Sequence, residues 1–167
     1  MENEVFPVNE IVVGIADIKA AKGECCIVTY ALGSCVGVCI YDEAVKVGGM
    51  LHAMLPDSKK FLEVDKSGRY VDTGLYRLCE SVCRMGAVRG RLKAKLVGGA
   101  KMFDYLDTPG KVDIGMENVL QARKYLRQLG IMLVREETGG EVARTIRFNP
   151  ADGSVAIHAT DGIDMVI

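Results

Sequence analysis

The chain has 167 residues, 49% apolar and 26% charged, with 21 basic against 22 acidic side chains and a net charge of −1. That balance offers no global attraction for nucleic acid or an acidic membrane surface. No apolar run approaches the roughly 18 residues that span a bilayer. The length suits one domain, residues 1–167 with a core over about 10–160, able to bury roughly 70% of the unfolded chain's surface.

Met1-Glu2-Asn3-Glu4 has the wrong charge to begin a signal peptide, so a cytoplasmic location is expected. Six cysteines (Cys25, Cys26, Cys35, Cys39, Cys79 and Cys83) should be reduced there. Their CxxxC spacings fit no common zinc site, and no cofactor is expected.

In chain order, Ile11 to Ile18 reads as one extended segment and Cys25 to Leu32 as a second. Val36 to Tyr41 and Val47 to Leu55 read as a hairpin about Asp42-Glu43-Ala44. Asp57 to Gly68 is polar and reads as a surface loop. Leu75, Leu78, Val82 and Met85 then recur at helical spacing, with Cys79 and Cys83 lining the same core and Gly86 as the stop. Leu92 to Val97 alternates again, with Arg91, Lys93 and Lys95 on what reads as a solvated strand face. Val97 to Phe103 carries glycines without the spacing of a phosphate loop or a dinucleotide fingerprint, and reads as a mobile apolar contact surface. Val119, Ala122, Leu126 and Leu129 mark a second helix ending at Gly130. Ile131–Glu136, Ala143–Phe148 and Val155–Ala159 complete the strands. The pattern predicts an α/β (α+β-like) sandwich, mixed sheets with two main helices packed on them.

Two stretches carry chemistry. Thr29 to Cys35 sets a cysteine after the small turn Gly33-Ser34, and Gly48-Gly49-Met50-Leu51-His52 supplies one of only two histidines. A thiol and an imidazole suffice for nucleophilic acyl chemistry: the thiolate attacks while the imidazole moves protons. The hairpin brings the neighbourhoods of residues 35 and 52 together, with Met50 and Met54 on the histidine's face of its strand. The other reading makes Cys35 a small buried hydrophobe and His52 a hydrogen-bonded core residue. His158 alternates with Val155, Ile157 and Ala159 and is expected to be exposed. The basic run near residue 91 lacks interleaved aromatics, which argues against nucleic-acid binding.

The segments Leu32-Gly33-Ser34-Cys35 and His52-Ala53-Met54-Leu55-Pro56 resemble the two signature motifs of CheD, the bacterial chemoreceptor glutamine deamidase family. Arg69-Tyr70-Val71-Asp72, Gly98 to Phe103, Ile114 to Asn118, Thr138-Gly139-Gly140 and Arg144 extend the match over roughly residues 10–158. The resemblance implies a fold similar to the catalytic domain of cytotoxic necrotizing factor. It further implies Cys35 as nucleophile, His52 as base and Thr29 as the group orienting the imidazole. Backbone amides around Gly33 and Ser34 would stabilise the oxyanion. The implied partners are chemoreceptors and the CheC phosphatase, with Phe103, Gly98 and Gly99 as the partner-binding residues. Some glutamyl methylesterase activity is expected from the same chemistry. A non-catalytic regulator binding CheC and chemoreceptors is the alternative.

Overall fold

The computed structural model describes residues 9–60, 68–102 and 112–167. The extended segment at Ile11–Ile18 is two strands, not one. β1 (Glu10–Val12) and β2 (Asp17–Lys22) are parted where Ala16 takes the left-handed region at φ 59°. β1 pairs in parallel with β3 (Cys26–Leu32), whereas β2 runs antiparallel to β5 (Val47–Ala53). Residues 13–16 therefore cross from one sheet to the other. The Val13 amide donates to Val28 O at 2.8 Å and the Ala16 amide to His52 O at 2.9 Å, so the crossing is bonded to both sheets. Periodicity misses this break because Val13 and Ile15 continue the apolar run through it.

β4 (Val36–Asp42) and β5 form the expected hairpin, with Gly37 opposite His52. β6 (Lys93–Gly98) lies antiparallel to β4, and β7 (Met132–Thr138) lies parallel to β6. These strands make one sheet in the order β2-β5-β4-β6-β7. The second sheet adds β8 (Arg144–Phe148), β9 (Val155–Ala159) and β10 (Asp164–Val166), in the order β1-β3-β8-β9-β10. The short β10 lies beyond the last strand predicted. α1 (Val71–Arg84) and α2 (Ile114–Gln128) give way to Gly86 at φ 108° and Gly130 at φ 72°, the left-handed positions that let the chain leave a helix.

Strand alternation divides the core in two. Val36, Val38, Ile40, Leu51 and Leu96 face Leu75, Leu78 and Val82 of α1 and Val119, Ala122 and Leu126 of α2. Cys39, Tyr41, Met50 and Val97 face Ile27, Leu32, Ile146 and Phe148 of the second sheet. The layers are thus helices, central sheet and outer sheet, an α+β sandwich. Each fully buried Leu, Ile or Val contributes roughly 1.5–3 kcal/mol relative to exposure.

Three expectations need correction. Lys95 is not on a solvated face: it is buried between the sheets, where its amine donates to Gly153 O at 2.7 Å and Ile167 O at 2.8 Å and lies 5.6 Å from the Tyr41 ring centroid. The strand face that alternates with the helix-facing residues is covered by the second sheet, which the charge pattern concealed. Gly98 to Lys101 is not a loose surface either. Gly98 O accepts from the Gly139 amide, and the amides of Gly99, Ala100 and Lys101 donate to Cys35 O, Gly33 O and Gly140 O at 2.8 Å each. Finally, of the stretch 57–68 read as a surface loop, residues 61–67 lie outside the described residues, and its last residue, Gly68, is buried, where a Cβ would meet Leu51 Cδ1 at 2.7 Å.

The start of α2 packs backbone to backbone on Gly99 and Ala100. A Cβ on Gly115 would lie 2.6 Å from Gly99 O and 2.5 Å from Ala100 O. Neither carbonyl can move without breaking the segment's own hydrogen bonds, so Gly115→Ala is expected to cost about 1–3 kcal/mol. Thermal unfolding should show a midpoint lowered by several degrees; an unchanged midpoint would contradict this packing.

Candidate active site

Thr29, His52 and Cys35 reach the interface between the sheets from three strands or strand ends. Ile27 and Thr29 share the inward face of β3. Beyond Thr29 the pairing with β8 is irregular: Thr29 lies opposite Ile146, and Leu32 opposite Arg144, so three steps on β3 match two on β8. The extra residue is taken up at Tyr30-Ala31, with Ala31 at φ 55° and Tyr30 turned out to solvent. This β-bulge lets Thr29 and Leu32 both point inward and aims the chain into the Gly33-Ser34 turn.

His52 is 1% exposed, on the same face of β5 as Met50, as the alternation predicts. Its Nδ1 lies 2.7 Å from Thr29 Oγ1, and that hydroxyl donates to Val13 O at 2.7 Å. A hydroxyl has one hydrogen, and a carbonyl can only accept. With its hydrogen committed to Val13, Thr29 Oγ1 must accept from the ring, so the proton sits on Nδ1. Nε2 is left as the basic nitrogen. It is buried and has no hydrogen-bond partner. Burial lowers the His52 pKa to about 4, because the charged ring would lose its hydration there.

Cys35 stands immediately before β4, half-buried. It is two residues upstream of Gly37, which lies directly opposite His52. Positions 35 and 52 are therefore diagonal neighbours on one face, a relation that spans roughly 7–8 Å between backbones. Gly37 between them presents no side chain, and its place is filled from the outer sheet: a Cβ there would meet Ile146 Cδ1 at 2.8 Å and Leu32 Cδ1 at 3.0 Å. Desolvation raises the Cys35 thiol above its ordinary range, while its own backbone amide pulls it the other way. Both shifts favour the uncharged form of the group concerned.

The remaining candidates surround the turn. Gly33 and Ser34 form it, and Met102 lies over Gly33, its Cγ 3.0 Å from where a Cβ would stand. Gly98 and Gly99 are buried behind it; a Cβ on Gly98 would collide with Cys35 O, and one on Gly99 with the Val119 side chain. Phe103 falls outside the described residues. His158 is exposed and bonded to Asp164 on β10, away from the inter-sheet interface. Among the described residues no group of three or more His, Cys, Asp or Glu side chains could hold a metal ion.

One residue of this region had no role in the sequence reading. Asn118 is wholly buried in α2, and its side-chain amide donates to Ser34 O and to Met54 O, each at 2.9 Å. The signal was available: position 118 falls on the buried face with Gly115, Val119, Ala122 and Leu126, where an amide needs partners.

Comparison with known proteins identifies the relatives of this chain. The family model for CheD chemotactic sensory transduction matches residues 54–159. A protein of Pyrococcus horikoshii named "Probable chemoreceptor glutamine deamidase CheD" is 46% identical over 154 residues, 92% of this chain and 94% of its own length. The "Chemoreceptor glutamine deamidase CheD" of Thermotoga maritima is 42% identical over 151 residues, covering 90% of this chain and 92% of that one. A Desulforamulus reducens relative with the name "Probable chemoreceptor glutamine deamidase CheD" is 45% identical over 149 residues, 89% and 90% of the two chains.

The buried, neutral His52 has a stability signature. Between about pH 6.5 and 4 the unfolded chain binds a proton on this ring that the folded chain does not. Stability therefore rises with pH across that window and is lost on acidification, by about 3 kcal/mol in full. Urea unfolding of the wild type and His52→Gln at pH 7 and pH 4.5 isolates the effect. The wild type should lose about 2–3 kcal/mol more than the variant; equal losses would show that the ring is not held neutral.

Proposed function

Because the chain belongs to the CheD family, we propose that it is a chemoreceptor glutamine deamidase that works through a thioester on Cys35. The observation that carries this reading is the hydrogen-bond chain Val13–Thr29–His52, which leaves an unpaired basic Nε2 on the strand face shared with the half-buried thiol.

The chemistry follows from those groups. His52 Nε2 takes the Cys35 proton as the sulfur attacks the carboxamide carbon of a glutamine, and the carbonyl oxygen becomes an oxyanion. The amides of Ser34 and Cys35, in the turn that begins at Gly33, stabilise that charge. As the C–N bond breaks, the imidazolium returns its proton to the leaving nitrogen, and ammonia departs. Water then adds to the thioester carbon while His52 takes one of its protons. Collapse breaks the C–S bond, releases glutamate and returns the proton to the thiol. The Nδ1–H bond to Thr29 holds the ring in the tautomer each step needs and shares the positive charge when it forms. A glutamyl methyl ester presents the same carbonyl with methanol as leaving group, so the route extends to methylesterase activity.

The six cysteines are unpaired, and a free thiol nucleophile fits a reducing cytoplasm. We assign the CheC phosphatase as the second partner on the family resemblance, with Phe103 as its contact; Gly98 and Gly99, buried behind the turn, are not available to a partner.

Ammonia release and intact mass, measured on a chemoreceptor cytoplasmic fragment from the same organism, test the reading. Wild type should add about one mass unit per glutamine converted, and Cys35→Ala and His52→Ala should stay folded but release no ammonia above background. Activity retained in folded Cys35→Ala would refute the thioester. A wild type that binds the fragment without changing its mass would favour the non-catalytic regulator.

The pH profile is a separate test. With His52 lowered to about 4, kcat/KM at pH 5.5 should stay within about twofold of its value at pH 7.5. A histidine at its ordinary pKa of about 6.5 would lose about tenfold over that interval.

A further inference from the structure

We propose that Asn118 is a positioning residue that aims the Cys35 amide at the developing oxyanion, an inference that rests on the deamidase reading above. The side-chain amide has two hydrogens, and both are spent on main-chain carbonyls near the site: Ser34 O, just before the nucleophile, and Met54 O, just past the strand of the base. One planar group thus ties the nucleophile's turn to the end of the histidine's strand, from positions 84 and 64 residues away in sequence.

Peptide planarity turns this tie into an orientation. Among the described residues every peptide bond is trans, so the carbonyl of one residue and the amide of the next point in opposite directions within one plane. Holding Ser34 O toward α2 points the Cys35 N–H away from α2. The Ala100 amide does the same for the preceding plane by binding Gly33 O, and so fixes the Ser34 N–H. The Gly99 amide binds Cys35 O. Three consecutive carbonyls are held from behind, while the amides of Ser34 and Cys35 donate to no main-chain carbonyl among the described residues. These are the two donors the mechanism calls on; the Cys35 amide, which rests against its own thiol, turns to the oxyanion as the sulfur is consumed in the attack.

The residue type suits this role better than a purely structural one. Asn118 Oδ1 is buried without a partner, a cost an apolar side chain at this core position would avoid. What the asparagine adds is its pair of N–H donors. An aspartate would present only acceptors to two carbonyls, and a glutamine would overshoot by one methylene.

The test compares wild type, Asn118→Ala and Asn118→Ser in two reactions below their melting temperatures. The first is ammonia release from the chemoreceptor fragment. The second is alkylation of Cys35 by iodoacetamide, followed by peptide mass spectrometry; displacement of iodide by sulfur creates no oxyanion. Asn118→Ala should lose about a hundredfold in kcat, with KM and the alkylation rate each within threefold of wild type. Asn118→Ser retains one donor and should fall between; if the alanine variant fails to fold, the serine variant carries the comparison. A kcat within threefold of wild type, or an alkylation rate that falls in step with kcat, overturns the role given to Asn118. A wild type whose Cys35 alkylates normally but releases no ammonia refutes the deamidase reading, and this inference with it.

Discussion

The Thr29 hydroxyl has one hydrogen, and the site depends on where it goes. Because Val13 O takes it, the oxygen is left to accept from His52, and the imidazole has a single tautomer open to it. That outcome needs three segments in place: the crossing that presents Val13, the inward face of β3 and the inward face of β5. Each comes from a different part of the topology. The crossing does most, since it bonds to Val28 of one sheet and His52 of the other and so fixes the separation across which Thr29 and the ring must meet.

Burial then sets the electrostatics. A histidine enclosed between two sheets is costly to charge, and a half-buried thiol is costly to ionise. In the proposed reaction charge arises where dipoles stand: Thr29 on the imidazole side, the turn amides on the oxyanion side. The bulge at Tyr30-Ala31 belongs to the same design, because a regular β3 would put Ala31 inward in place of Leu32 and misdirect the turn.

Much of this was legible before any fold was known. The hairpin, both helices with their terminal glycines, and the inward alternation of Met50 and His52 follow from local pattern, since each is set by residues within a few turns or strands of itself. Thr29 as the orienting group came from family resemblance, with no local signal to mark it. What escaped was what depends on a second sheet lying over the first. The split of Ile11–Ile18 is invisible because an apolar run reads alike whether it stays in one sheet or changes sheets. Lys95 was misplaced for a related reason: its strand face looks solvated until the outer sheet covers it, and its amine is then satisfied by carbonyls 58 and 72 residues away. The partners of Asn118 are as distant, and a lone asparagine in an amphipathic helix does not say which carbonyls it will meet.

The carbonyls of Gly33, Ser34 and Cys35 are held by Ala100, Asn118 and Gly99, all more than 60 residues downstream in the chain. The turn therefore has no local means of acquiring its shape. Thr29, Cys35 and His52 come early in the chain, whereas the residues that hold the turn come after β6 and within α2. Contacts of such long sequence separation form late, because the loops they close must first be paid for in chain entropy. The shape of the turn is thereby coupled to completion of the fold, and a partly folded chain presents Cys35 without the tethers that hold its neighbouring carbonyls.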